Sequence, residues 1–419
     1  MIEYTPLHVP IDPRVYVPLD YWVADTDFPP EEAGERYDRF STYGDLARGD
    51  FDAILPIWLK SYQRDARPVQ VNYFHWFADE RRHFLINNPP EANVDIGDDL
   101  IKQVLDATSG VLYNYTIYGT GVFFAYRDSE GFPRLESVDP TNWFPSVDGD
   151  AYVVNGDGYY DVFIFTPDGG ERRRFNNENL GSRLGDLIEV DTFSPLGGRP
   201  FFPCGNWPKQ GEWGYSLIPE LVPLVREHTE LLSRISDVHQ FHSSPFYVVE
   251  GSNSLDVDNI ARAAEQRNAN FLDDDDTFGS YQERQALKFQ HQRLRGWIEG
   301  IEGKIAAFPS LANTEDMRAS AADKHALIIA LAAIPVTLQS SMDQASTSNV
   351  SGRTLEVGNA YPEAWIGSMQ REVLYCLNRA ARLLLGNEAI EFSWPNPFGE
   401  IGSQQAAVED SQGQVVEDE

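Results

Sequence analysis

The sequence predicts an α+β fold. Apolar residues recur at helical spacing before residue 118 and again from residue 217 onward. Between them, from about 121 to 204, short apolar runs alternate with Gly- and Asp-bearing turns, which reads as a small antiparallel sheet. Hydrophobic residues make up 42% and aromatic residues 12% of the 419, enough to bury a real core.

The elements follow in order. Residues 1–65 are rich in Pro and aromatics, with short helical pieces such as Asp50–Leu59. Residues 66–86 read as a helix carrying Val69, Tyr73, Phe77 and Leu85, stopped before Asn87-Asn88-Pro89-Pro90 because a residue preceding Pro avoids the α region. Residues 97–117 read as a second helix with Leu100, Val104, Leu105, Val111 and Leu112 on its stripe. Gly121–Tyr126 and Arg134–Val138 are strands around an Asp128–Gly131 turn. Tyr159–Phe165 and Glu171–Phe175 form a hairpin. Residues 176–213 are loop-rich.

A long helix is expected over 217–240, with Ser216 as N-cap and Pro219 in the tolerant first turn. A strand over Phe246–Glu250, a short helix over 255–268, a helical stretch over 292–307 and a helix over Asn313–Ile334 follow. Residues 336–351 are polar and short-chained. The last long helix runs from about 352 to 385, with Pro362 predicting a kink or break and Gly386 a C-cap. The acidic tail beyond it reads as disordered.

Charge and composition exclude several function classes. With 65 acids against 33 bases the net charge is -32, which argues against a protein that grips DNA through phosphates. No run of eighteen apolar residues suggests a membrane span, and the N-terminus lacks a signal-peptide pattern. Cys204 and Cys376, far apart in sequence, offer no disulfide framework and fit a reducing compartment.

Catalytic and metal patterns are weak. His239-x-x-His242 has no supporting ligands for zinc. Gly119-Thr120-Gly121 lies between a helix and a strand, the reverse of a phosphate loop, and reads as a bend with special backbone angles. Asp273-Asp274-Asp275-Asp276 lacks the ligand spacing of a calcium loop and reads as a solvated turn. Alternation within the hairpin splits Arg172–Arg174 between two faces. No catalytic residues, cofactor or metal are expected, and the chain does not read as an enzyme.

Several segments carry a resemblance: Phe84–Pro90, Tyr118-Gly119-Thr120-Gly121-Val122, Val138-Asp139-Pro140-Thr141-Asn142, Trp213–Ile218 leading into a long helix, Ser243-Ser244-Pro245 with a strand ending at Gly251, and Val350-Ser351-Gly352-Arg353-Thr354-Leu355. In this order they resemble the portal (head–tail connector) proteins of tailed bacteriophages. Asn87 stands where that family has Gly, and Thr354 where Ala is common. The resemblance leaves the first 65 and last 35 residues uncovered.

The resemblance implies a portal-type subunit. Residues 1–210 would form a mixed α/β wing, 211–242 and 290–307 a two-helix stem, and 243–289 a small α/β clip. Residues 308–351 would hold a wing helix and tunnel loop, 352–386 a long tunnel helix kinked at Pro362, and 387–419 a short crown or disordered tail. Twelve copies would form a ring at one capsid vertex, the channel for genome packaging and ejection. It implies virion localisation, with host cytoplasm during assembly, and no membrane. The implied partners are double-stranded DNA passing non-specifically, the terminase large subunit, a head-completion or adaptor protein, and the major capsid and scaffolding proteins.

The tunnel loop facing DNA would be Gln339, Ser340, Ser341, Asp343, Gln344, Ser346, Thr347, Ser348 and Asn349. Lys288, Arg293, Arg295 and Lys304 would either face DNA or make ordinary surface salt bridges between subunits, and Asp273, Asp274, Asp275 and Asp276 would be the clip docking surface. A ring multiplies the acidic charge, so a mostly acidic tunnel would favour sliding over binding. Two other readings stand beside this one: another head–tail adaptor or minor capsid protein, and a hydrolase whose site is hidden among the carboxylates.

Overall fold

The computed structural model describes residues 15–55, 68–128, 131–166, 168–177, 183–193, 198–206, 213–243, 247–250, 304–307, 314–332 and 352–395. The chain divides into two compact units. One comprises Met1–Asp50, Asn72–Leu221 and Ile329–Glu419, the other Phe51–Val71 and Val222–Ile328.

In the first unit, α1 (Glu31–Arg48) opens with Glu31 and Glu32 against the positive end of its dipole. It stops at Gly49, whose left-handed φ of 91° lets Asp50 N–H reach the Asp45 carbonyl at 2.9 Å. Helix α2 is Tyr73–Ile86 rather than 66–86. Residues 68–72 are not helical, because the Asn72 side chain accepts from His75 N–H at 3.1 Å and fixes the helix start there. Its Nδ2 donates to the Ala47 carbonyl, tying that start to the end of α1. After β1 (Glu91–Ala92) comes α3 (Asp98–Tyr118), one residue off the expected span.

The strand-rich middle forms two sheets, where the sequence suggested one. In the first, β2 (Thr120–Arg127) lies between β3 (Pro133–Val138) and β9 (Phe201–Gly205), both antiparallel to it. In the second the order is β4 (Trp143–Pro145), β5 (Asp150–Gly156), β6 (Tyr159–Thr166), β7 (Gly169–Asn176) and β8 (Leu187–Phe193). Strands β8 and β9 fall in the stretch expected to be loop. Pro203 and the interleaved Glu189 and Asp191 mask their pattern, and tertiary pairing decides instead.

Two cores result. In one, α3 and the C-terminal helix α6 (Gly352–Leu385) pack on the three-stranded sheet, with α2 against α3, through Leu85, Val104, Val111, Phe123, Met369 and Leu377. In the other, Val17, Trp22 and Phe28 cover one face of the five-stranded sheet, against Phe144, Val162 and Phe175. Each such buried side chain contributes about 1.5–3 kcal/mol.

The second unit contains most of α4 (Ile218–Ser243), the antiparallel pair β10 (Tyr247–Glu250) and β11 (Lys304–Ala307), and most of α5 (Thr314–Leu331). Strand β11 corrects the helix expected to run through 307: by Lys304 the chain is extended and paired with Glu250. The helices expected over 255–268 and from 292 onward lie outside the described residues.

The C-terminal segment also differs from expectation. Residues 387–395, at the start of the stretch expected to be a short crown or disordered tail, are folded onto the first unit, and 396–419 lie outside the described residues. Strand β12 (Phe392–Ser393) pairs with β1, and Ile390 and Phe392 are buried in the first core. Two apolar residues in an otherwise polar stretch are enough to dock it, given the side-chain partners described below.

Candidate functional site

Three of the segments singled out in the sequence meet in the first unit. Helix α3 ends at Gly119, in the left-handed region with φ of 73°. A Cβ there would overlap the backbone of Gly214 and Tyr215, and a Cβ on Gly214 would overlap the Gly119 carbonyl. The two glycines permit backbone-to-backbone contact that no other residue allows. Thr120 Oγ1 accepts from Gly214 N–H at 2.9 Å, and Asn206 N–H donates to the Gly119 carbonyl at 3.1 Å. Ser216 Oγ donates to the Ile117 carbonyl at 2.5 Å and accepts from Ile218 N–H at 3.1 Å, so it caps α4 while fastening its start to α3.

The third segment joins through Arg36 of α1. Asp139 caps a single 3-10 turn, Pro140–Asn142, accepting from Thr141 N–H at 2.8 Å. The Arg36 guanidinium donates to the Pro140 carbonyl at 2.7 Å and lies 4.7 Å from the Trp213 ring and 4.8 Å from that of Phe144. Burial pushes its pKa down to about 9, still far above neutrality, so the group stays charged.

A second constellation holds the C-terminal half of α6. Ile366, Met369, Val373, Leu377, Ala380 and Leu384 are buried in the first core, as the sequence stripe predicts. Asn378 grips the terminal strand from both sides: its Oδ1 accepts from Phe392 N–H at 2.6 Å and its Nδ2 donates to the Phe392 carbonyl at 3.3 Å. Arg382 Nε donates to the Ile390 carbonyl at 3.0 Å, and Gln370 Nε2 to the Pro395 carbonyl at 2.9 Å. From the other side Asn93 accepts from Glu391 N–H at 3.0 Å and donates to the Ala389 carbonyl at 2.9 Å. Trp394 Nε1 donates to the Asn88 carbonyl at 2.6 Å, which places the Phe84–Pro90 segment in the same clasp.

Arg81 of α2, fully buried, joins two points that lie on either side of residues 333–351, which include the polar run 339–349. Its guanidinium carbon lies 3.7 Å from the Trp365 ring centroid, and Nη2 donates to the Ala332 carbonyl. Tyr115 meets the other side of Trp365 edge-on at 6.2 Å.

In the second unit side chains of α4 and α5 meet at one place. The His228 and His325 rings are 6.1 Å apart at 34°, and Lys324 pairs with Glu227. Burial and the neighbouring His325 push His228 down to about 4, so it is neutral at pH 7. Strands β10 and β11 pair Glu250 with Lys304, so residues 251–303 leave and return at one point.

Of the residues expected to act, Gln339, Ser340, Ser341, Asp343, Gln344, Ser346, Thr347, Ser348 and Asn349 lie outside the described residues. So do Lys288, Arg293, Arg295 and Asp273 to Asp276. Lys304 is in β11 rather than in a helix. Pro362 lies within α6, which continues through it without a break. Among the described residues no group of three or more His, Cys, Asp or Glu side chains could hold a metal ion.

The basic triplet in β7 is committed to ion pairs. Arg172 meets Glu189 and Asp191, Arg173 meets Glu171 and the Trp22 carbonyl, and Arg174 makes a two-pronged contact with Asp161 at 2.7 and 2.8 Å. Cys204 and Cys376 are distant in sequence yet share the first core, as free thiols donating to the Gly121 and Pro203 carbonyls. Burial pushes Cys204 up, away from reactivity. Sequence reading missed Arg81, Asn93 and Asn378. The one available signal was a charged residue interrupting the aromatic face of α2.

No family model matches the chain, and no curated protein matches it by sequence. Several solved structures align with most of its length. An HK97-family phage portal protein from Corynebacterium diphtheriae is 9% identical, with a TM-score of 0.37 over 81% of this chain and 93% of that one. A chain in the neck of an empty gene transfer agent (GTA) particle is 14% identical, with a TM-score of 0.36 over 81% and 85%. A chain in the virion of a native GTA particle is 13% identical, with a TM-score of 0.39 over 81% and 83%.

Proposed function

We propose that the chain is the subunit of a portal ring, a structural channel at one capsid vertex through which double-stranded DNA is packaged and ejected. The observation that carries this reading is the attachment of the polar segment 339–349. It leads directly into a 34-residue helix whose C-terminal half is clamped in the core. Arg81 bridges Ala332 and Trp365 on either side of it. A polar, short-chained segment joined to a helix held in this way would press on a passing duplex without unfolding its support.

The second unit supports the reading. Helices α4 and α5 would be the stem, with 251–303 as an insert beyond the β10–β11 pair, serving as the clip. The terminase large subunit and, later, a head-completion protein would dock there, at a surface including Asp273 to Asp276. Lys288, Arg293 and Arg295 belong to the same insert and would give transient phosphate contact in an otherwise acidic channel. Twelve copies would close the ring. Residues 1–210 would form the wing, meeting capsid and scaffolding proteins.

The test removes residues 340–348 from the full chain and assays ring assembly and DNA packaging separately. The reading expects intact rings and impaired packaging or retention of DNA. Packaging at the unmodified level would remove the loop's role.

A further inference from the structure

The five-stranded sheet of the first unit is finished at one margin and unfinished at the other. At the β4 margin Trp143 and Phe144 are buried, and Val17 N–H donates to the Pro145 carbonyl at 3.0 Å. At the β8 margin no strand among the described residues pairs with the outer edge. There Leu187 is 48%, Ile188 61% and Val190 48% exposed. The register places Leu187 opposite Phe175 and Val190 opposite Arg173. Both therefore lie on the sheet face that carries Phe175, Val162 and Tyr160 in the core. Among the described residues nothing pairs with this end of the apolar face. An edge strand that exposes three large apolar side chains and carries no Lys or Pro is one to which a further strand can add.

Residues 5–12, Thr5-Pro6-Leu7-His8-Val9-Pro10-Ile11-Asp12, have the pattern of such a strand. Leu7, Val9 and Ile11 alternate onto one face. Pro6 and Pro10 share the other parity, so their missing N–H groups fall on the side away from the sheet, where an edge strand tolerates proline. Thr5, Leu7, Val9 and Ile11 keep their N–H and C=O groups for pairing. Pro13 has the pairing parity and ends the run. The same prolines would prevent a further strand from adding.

The chain's own edge is out of reach. Val17 is held at the β4 margin, and a strand outside β8 lies five inter-strand spacings away, roughly 24 Å. The five steps from Asp12 to Val17 span about 17 Å fully extended. The acidic tail beyond residue 395 is a poorer occupant, because Asp186, Glu189 and Asp191 line the edge and that tail carries no base.

We propose that residues 5–12 of a second copy of this chain add to β8 as an antiparallel or parallel sixth strand, linking neighbouring subunits head to tail. A heterologous link of this kind closes into a ring or continues as a filament. It rests on the portal reading only for the number of copies.

The test uses the full-length chain carrying both Val9→Cys and Val190→Cys, oxidised with diamide and run without reductant. Cys204 and Cys376 are buried and the parent chain serves as control. The inference expects a ladder of disulfide-linked multimers, lost when Val9→Cys is present alone. A monomer band of altered mobility, or no cross-link, overturns it. An independent arm mixes a chain lacking residues 1–12 with a chain carrying Ile188→Lys and Val190→Lys. Each alone should stay monomeric, and the mixture should give a dimer by native mass spectrometry. Rings that persist unchanged in the truncated chain would reject this link while leaving the portal reading intact. An unmodified chain that forms no ring, yet cross-links in this way, would reject the portal reading alone.

Discussion

The guanidinium of Arg81 stacks 3.7 Å above the ring of Trp365 while donating to the carbonyl of Ala332. One buried side chain thus links Ala332 and Trp365, which are thirty-three residues apart and lie on either side of residues 333–351. Replacing Arg81 with Ala removes the stack and the donor together and leaves a cavity. The expected loss is about 3 kcal/mol in urea unfolding, with faster proteolysis within 333–351. Arg81→Met should recover part of the stability, because its thioether keeps contact with the indole ring, but not the protection of the loop.

The glycine contact separates space from flexibility. Gly119→Ala or Gly214→Ala should cost about 3 kcal/mol or more, since a Cβ at either meets backbone that cannot rotate away. Gly34, inside α1 with nothing near its would-be Cβ, is the control. Gly34→Ala should stabilise by about 0.5–1 kcal/mol. Thermal melts of the three variants test both signs.

The C-terminal clasp is held by side chains rather than by a long ladder. Asn378→Ala should leave the Phe392 N–H and carbonyl without those partners and cost about 1–3 kcal/mol. Hydrogen exchange of Glu391 and Phe392 should rise together, whereas α3 keeps its protection.

Much of this was legible in the sequence, for identifiable reasons. Helix α3, the β6–β7 hairpin and the buried stripe of α6 follow from periodicity, because one face of each meets the core. Tyr118–Val122 and Trp213–Ile218 were visible as motifs, but only the fold shows that Gly119 and Gly214 need each other. Helix α2 was overextended because Val69 fits the stripe, whereas Asn72 fixes the start. Strand β11 was read as helix because Ile305-Ala306-Ala307 has no strong local preference and its pairing with Tyr247–Val249 is remote in sequence. The docking of 387–395 depends on Asn93 and Asn378, and polar partners at such separation leave no periodic trace.

Acid should loosen the second unit. His228 has a folded pKa of about 4 against an unfolded value near 6.5, so the unfolded chain binds the extra proton between these values. This contribution is fully present above about pH 6.5 and is lost as pH falls toward 4, up to about 3 kcal/mol. His228→Phe should flatten that slope. An unchanged slope between pH 7 and 5 in the variant would assign it to other groups.

As the proposed portal subunit, the chain would work by surrounding DNA rather than by chemistry. Electron microscopy of the purified full-length chain at assembly concentrations tests it most directly. The account predicts closed rings with an axial hole wide enough for a duplex and with the 339–349 segments lining it. Compact single subunits with no ring, under conditions where the chain is folded, would contradict it.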